Sequence, residues 1–321
     1  MTDNAHSGDA ATYPIDRQFA DVLALLPGGA FDDVAAARRG LLDVLPILNA
    51  GLDLTGLTVT DRIVPGPSSH PELAIRTYVP VAEPSGAGLL FIHGGGFSLG
   101  GLDSEHARAA YIAIRTGAAV VSVDYRLAPE HPFPAAIEDC YAGLTWTHAA
   151  ADELGIDPER VGVIGQSAGG GLAAGLALLT RDRGGPQLRF QYLGVPELDD
   201  RLDTDSMQRF QDTPMWNRAA AEVSWRMYLG PTDRSSEVSP YAAPGRATDL
   251  IGLPSAYISA MEFDPLRDEG IQYAVALMAA GVSCELHTFP GTFHGSSSVV
   301  PTADVSRREL DEMVAVLRRR L

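Results

Sequence analysis

The sequence predicts an α/β protein built on a mostly parallel sheet with helices on both faces. Three observations carry this expectation. Short apolar, branched runs recur at 89–92, 118–123, 161–164, 190–193, 256–259 and 284–289. Segments of helical character, such as 106–116, 134–154 and 270–280, separate most of them. With 321 residues, 45% hydrophobic and 20% charged, the chain is long enough to bury the core such a sheet needs. Parallel strands require crossovers of a dozen residues or more, and that is the spacing seen.

Taken in order, residues 1–12 are polar, lack the basic start and apolar core of a secretory signal, and read as a flexible tail. From Ile15 to Leu52 the chain is helix-like. Phe19, Val22, Leu23 and Leu26 recur at helical spacing, Pro27-Gly28-Gly29 breaks the pattern, and Val34 to Leu48 resumes it. Leu57 to Val64 and Leu73 to Val79 alternate around a Pro-Gly-Pro-Ser-Ser turn, which predicts an antiparallel start to the sheet. The strand–helix rhythm follows and is interrupted at 196–229. That stretch carries Glu197, Asp199, Asp200, Asp203 and Asp205, then Phe210, Met215, Trp216, Trp225, Met227 and Tyr228. It reads as an insertion that joins the N-terminal helices as a cap over the sheet edge. The expected division is a 1–12 tail, 13–52 cap helices, a core of 53–195 with 231–321, and a 196–230 cap insertion.

Charge and composition exclude several functions. A net charge of −17 disfavours nucleic acid and anionic lipid surfaces. No apolar run reaches membrane-spanning length. Cys140 and Cys284 have neither metal spacing nor a disulfide framework, so reduced thiols in a cytoplasmic protein are the default and one bridge stays open. No His-Glu-x-x-His cluster is present, and neither metal nor cofactor is expected.

The chemistry concentrates at Val161 to Gly171. An apolar run ends in Gly165-Gln166-Ser167-Ala168-Gly169, and a small-residue helical run follows. Strand, sharp turn and helix in that order push the Ser167 hydroxyl out at the carboxyl edge of a sheet, where ligands of such sheets bind. The pentapeptide alone is also what a Gly-rich connection looks like; its context favours a nucleophile. A serine nucleophile needs a base, and the base an orienting acid. Asp264 directly follows a strand, and Asp before Pro265 also suits a helix N-cap. Asp268 and Glu262 compete for the same role but lie inside helix and strand. Of eight histidines, His294 follows the last strand and a Pro290-Gly291-Thr292 turn, where a triad base belongs; His287 lies within the strand. After the run 89–92, His93-Gly94-Gly95-Gly96-Phe97 offers backbone N–H groups. Those of Gly94 and Gly95, with that of Ala168, would surround an oxyanion. His93 reads as a buttress of that loop. Phe97 and Trp216 are the candidate substrate contacts.

Together, His93 to Phe97, Asp124-Tyr125-Arg126-Leu127-Ala128-Pro129-Glu130 with Phe133-Pro134, Gly165 to Gly170, Asp264 to Gly270 and the His294 loop resemble the hormone-sensitive-lipase family of α/β-hydrolase esterases. Gly165 to Gly171 and Pro196 to Leu202 make the chain most similar to the bacterial heroin-esterase type within it. The resemblance implies the α/β-hydrolase fold, with an eight-stranded, mostly parallel sheet and a helical cap. It also implies a serine acyl-enzyme mechanism on small-molecule esters. Arg126 with Glu130 is then a supporting polar pair. Gln166 departs from the Asp or Thr common before the nucleophile, which leaves the subfamily open, and with it monomer or homodimer. An amidase or lactonase using the same Ser167 remains an alternative. So does a non-catalytic receptor, as in plant gibberellin receptors, where the triad His is lost.

Overall fold

A computed structural model of the chain describes residues 13–26, 31–68, 72–231 and 237–321. The strands are β1 (Leu57–Pro65), β2 (Glu72–Pro80), β3 (Gly88–Ile92), β4 (Ala119–Val123), β5 (Val161–Gln166), β6 (Phe190–Gly194), β7 (Ser255–Phe263) and β8 (Cys284–Phe293). The helices are α1 (Ala20–Leu23), α2 (Val34–Leu48), α3 (His106–Thr116), α4 (Ala135–Ala149), α5 (Ala151–Leu154), α6 (Ala168–Arg183), α7 (Asp205–Arg209), α8 (Arg218–Leu229), α9 (Arg267–Ala279), α10 (Ser296–Val299) and α11 (Asp304–Arg320). Among the described residues the eight strands form one sheet, ordered β1-β2-β4-β3-β5-β6-β7-β8. β2 is antiparallel to both β1 and β4, and every other pairing is parallel.

Alternation along each central strand feeds two cores. Leu90, Ile92, Val121, Val123, Val163, Leu193 and Ile258 point to the face covered by α4, α6 and α9. Leu89, Phe91, Val120, Ile164, Tyr192 and Tyr257 point to the face covered by α3 and α11. A strand buried on both faces cannot afford a polar side, which is why these segments read as unbroken apolar runs. Each fully buried side chain of this kind contributes about 1.5–3 kcal/mol.

Three local expectations change. The turn expected at Pro290 to Thr292 lies inside β8, whose pairing slips at Met261 and resumes at Phe263 opposite Phe293. Gly291, at φ +73°, supplies the bend within the strand. The helical stretch 134–154 divides at Ala150 into α4 and α5. Arg126 does not pair with Glu130. It grips the fully buried Asp139 carboxylate through Nε and Nη2 at 2.8–3.2 Å, and its backbone N–H donates to the same group. Asp139 lies about one turn into the following helix, and the loop brings the guanidinium onto it. Glu130 pairs instead with Arg38 on α2.

N-terminal to the sheet, a 3-10 turn at Arg17–Phe19 runs into α1. Phe19 is buried edge-on against Phe293 at 5.3 Å. Asp33 caps α2 through the Ala36 N–H. The N-terminal segment meets the 196–230 stretch through aromatic rings: Phe31 lies edge-on to Trp216 at 5.4 Å, and Tyr13 lies edge-on to Phe210 at 5.5 Å. The expected tail at 1–12 and the Pro27-Gly28-Gly29 break lie outside the described residues.

Candidate active site

Ser167 sits between β5 and α6 at φ +55°, ψ −123°. A non-glycine residue there costs about 1–3 kcal/mol and persists only if its surroundings hold it. The hold is steric. A Cβ on Gly165 would lie 2.0 Å from the Gly169 carbonyl oxygen, and one on Gly169 would lie 2.2 Å from that of Ile92. Strand and helix therefore approach to backbone contact. Gly169→Ala is expected to destabilise the fold by about 3 kcal/mol or more, because the obstructing atoms are main-chain and cannot rotate away. Urea unfolding followed by circular dichroism measures this.

The acid and base arrive from the ends of the last two strands. His294 immediately follows β8, and Asp264 immediately follows β7. His294 Nε2 lies 2.9 Å from Ser167 Oγ, and its Nδ1 lies 2.7 Å from Asp264 Oδ2. With Nδ1 carrying the proton toward the carboxylate, the serine hydroxyl donates to Nε2; this tautomer is assigned from the network. Asp264 is 0% exposed. Its Oδ1 accepts the Leu266 N–H at 2.9 Å, an Asx turn rather than a cap of α9, which starts three residues on at Arg267. Glu262 is engaged elsewhere, accepting the Gly291 N–H. Asp268 accepts the Ser206 N–H and pairs with Arg267. His287 pairs with Glu312 and stacks on Phe289.

The loop after β3 lies against the serine. A Cβ on Gly94 would stand 2.9 Å from the Gln166 carbonyl oxygen and 3.4 Å from Ser167 Cβ. Among the described residues the Gly94 and Gly95 N–H groups donate to no acceptor. Ala168 is the first residue of α6, so its N–H has no partner within the helix. The helix dipole adds partial positive charge at the same point. His93 is buried, stacked at 4.1 Å on Tyr125, and bonded through Nδ1 to the Gly94 carbonyl. Burial pushes its pKa down to about 4, so it is neutral near pH 7 and donates that hydrogen bond.

The two candidate substrate contacts separate. Phe97 is 1% exposed, with its ring stacked at 3.9 Å on Tyr228. Trp216 lies 5.8 Å from the His294 ring, and its tip would touch a Cβ on Gly96, as would Phe31. Its indole N–H is buried and has no acceptor among the described residues. No pattern in the sequence marks Phe31, and Glu197 stands out there only as one of several acids in the insertion. The Glu197 N–H donates to the Ser167 carbonyl at 3.1 Å, and its carboxyl is 0% exposed. Burial first, then the nearby Asp264 charge, pushes that carboxyl up to about 8, against the pull of Ser224. No group of three or more His, Cys, Asp or Glu that could hold a metal occurs among the described residues.

The sheet order and a Ser-His-Asp chain at its carboxyl edge define an α/β hydrolase. The comparisons agree. A family model described as the alpha/beta hydrolase fold matches residues 89–298. Carboxylesterase NlhH of Mycobacterium tuberculosis is 43% identical over 277 residues, 84% of this chain and 85% of the relative. Esterase LipI of the same organism is 40% identical over 293 residues, 89% of each chain. A solved bacterial heroin esterase superposes with a TM-score of 0.92 at 49% identity, covering 96% of this chain and 98% of the other. The chain belongs to the hormone-sensitive-lipase-like family of α/β hydrolases and is a carboxylic ester hydrolase.

Proposed function

We propose that the protein hydrolyses short-acyl esters of small molecules through an acyl-enzyme on Ser167. The observation that carries this reading is the unbroken hydrogen-bonded chain from Ser167 through His294 to Asp264. His294 takes the hydroxyl proton as Ser167 Oγ attacks the ester carbonyl carbon. The negative charge on the former carbonyl oxygen is met by the Gly94, Gly95 and Ala168 N–H groups. The C–O bond to the alcohol breaks, and His294 delivers its proton to the departing oxygen. A water then attacks the acyl carbon, giving its proton to His294, and the carboxylic acid leaves as Ser167 regains its hydrogen. Asp264 holds the imidazole in the working tautomer and stabilises its charged form.

In this reading residues 13–52 and 196–230 form one cap. The Phe31–Trp216 and Tyr13–Phe210 contacts support it. Trp216, standing over Gly96 beside His294, is the proposed substrate contact. The net charge of −17 also disfavours anionic interfaces, and no helix among the described residues is long and apolar enough to cross a membrane. Free thiols at Cys140 and Cys284 support a reducing, cytoplasmic setting. Rates on acetyl, butyryl and palmitoyl 4-nitrophenyl esters test the substrate class. Acetyl or butyryl is expected to lead, and a palmitoyl preference overturns the short-acyl reading. Labelling by a fluorophosphonate, lost in Ser167→Ala, tests the nucleophile.

A further inference from the structure

Only Val34 of the fifteen residues of α2 is buried, so this helix gains little from apolar packing along its length. Its second turn is anchored by Arg38. Arg38 donates from Nε to the Ser98 carbonyl and from Nη2 to the Ala128 carbonyl, both at 2.9 Å. The same guanidinium forms a two-pronged pair with the Glu130 carboxylate at 2.7 and 2.8 Å. That pairing holds the Glu130 carboxyl down at about 2, so the contact stays charged through the neutral range.

Both carbonyls belong to residues bonded to the loop that carries the free amides. The Ser98 and Leu99 N–H groups both donate to the Gly95 carbonyl, closing the turn. Ala128 donates its N–H to the Phe97 carbonyl. Between these anchors Gly95, Gly96 and Phe97 take φ values of +117°, +54° and +55°. Such a left-handed run, ending on a phenylalanine, keeps its shape only where neighbours over-determine it. A planar fork that reaches two carbonyls and a carboxylate at once does this; a lysine point charge cannot.

We propose that Arg38 is a positioning residue for ester hydrolysis, holding the Gly94 and Gly95 amides at the angle the developing oxyanion requires by tying α2 to the Ser98 and Ala128 carbonyls. The assignment rests on the reading of those amides as oxyanion donors.

The test compares wild type, Arg38→Ala, Arg38→Lys and Glu130→Gln on 4-nitrophenyl acetate, with rates counted per site titrated by a fluorophosphonate. Each is also assayed with an aryl trifluoromethyl ketone, which adds Ser167 and forms an oxyanion, and with the matching alcohol, which does not. Arg38→Ala is expected to lower kcat about 100-fold, with KM and alcohol binding within about threefold and ketone binding weakened in parallel with kcat. Arg38→Lys should follow Arg38→Ala, and it carries the comparison if the alanine variant does not fold. Glu130→Gln keeps both carbonyl contacts and should stay within about threefold. The proposal is overturned if the Arg38 variants keep wild-type kcat, or if ketone and alcohol weaken equally, as a merely structural loss would produce. Wild type that the fluorophosphonate does not titrate removes the serine reading itself. Titrated wild type with unaltered Arg38 variants removes only the role of Arg38.

Discussion

Ser167→Ala is expected to lower kcat about a million-fold, with His294→Ala close behind and the double variant little worse than either. The near-equality follows from the geometry. The hydroxyl and the imidazole share one hydrogen bond of 2.9 Å, and neither does its part without the other. What survives comes from binding and from the amides at Gly94, Gly95 and Ala168, which the substitutions leave in place. The fold should tolerate the serine change. Alanine adds no atom to a turn whose tight contacts belong to the flanking glycines. His294 keeps its Nδ1 contact to Asp264 in the variant. Initial rates on 4-nitrophenyl acetate, with thermal melts as a control, give the result. Activity of Ser167→Ala within about 100-fold of wild type would place the nucleophile elsewhere.

What the sequence discloses here depends on the range of the interaction. β3 through β6 are legible because burial on both faces writes itself into consecutive residues. Ser167 is legible because a strand–turn–helix contact forces glycines at 165 and 169, local to the serine. His294 and Asp264 are reached by chain order, since each follows a strand that a run of apolar residues announces. The far end of β8 is not legible, because the slip at Met261 belongs to the partner strand and Gly291 looks like a turn from within its own segment. The partners of Arg126 and Glu130 fail for a related reason. An acid four residues away in sequence looks like the natural mate of Arg126, yet Glu130 pairs with an arginine 92 positions away. Phe97 closes a glycine loop, and its own segment says nothing of what its ring packs against. Nothing local shows that Tyr228, on the distant α8, takes its ring face.

Asp264→Asn is expected to cost about ten-thousand-fold in kcat, less than loss of Ser167 but far more than a lost buried hydrogen bond alone. The reason lies in what each oxygen of the carboxylate does. Oδ1 accepts the Leu266 N–H and Oδ2 accepts from His294 Nδ1. An asparagine of the same shape has one acceptor and one donor to fill two acceptor positions. With its oxygen toward Leu266, its NH2 group faces Nδ1, and the imidazole must carry its proton on Nε2, toward the serine hydroxyl it should be deprotonating. With the amide flipped, the working tautomer is restored, but two N–H groups meet in a site that is 0% exposed. The Leu266 amide therefore selects the inactive arrangement. KM should change little, because the substitution acts on proton transfer and not on the groups that meet the ester. A loss below about 100-fold would mean that Glu262 or Asp268 supplies the charge, at the expense of the Gly291 or Ser206 contact each now makes.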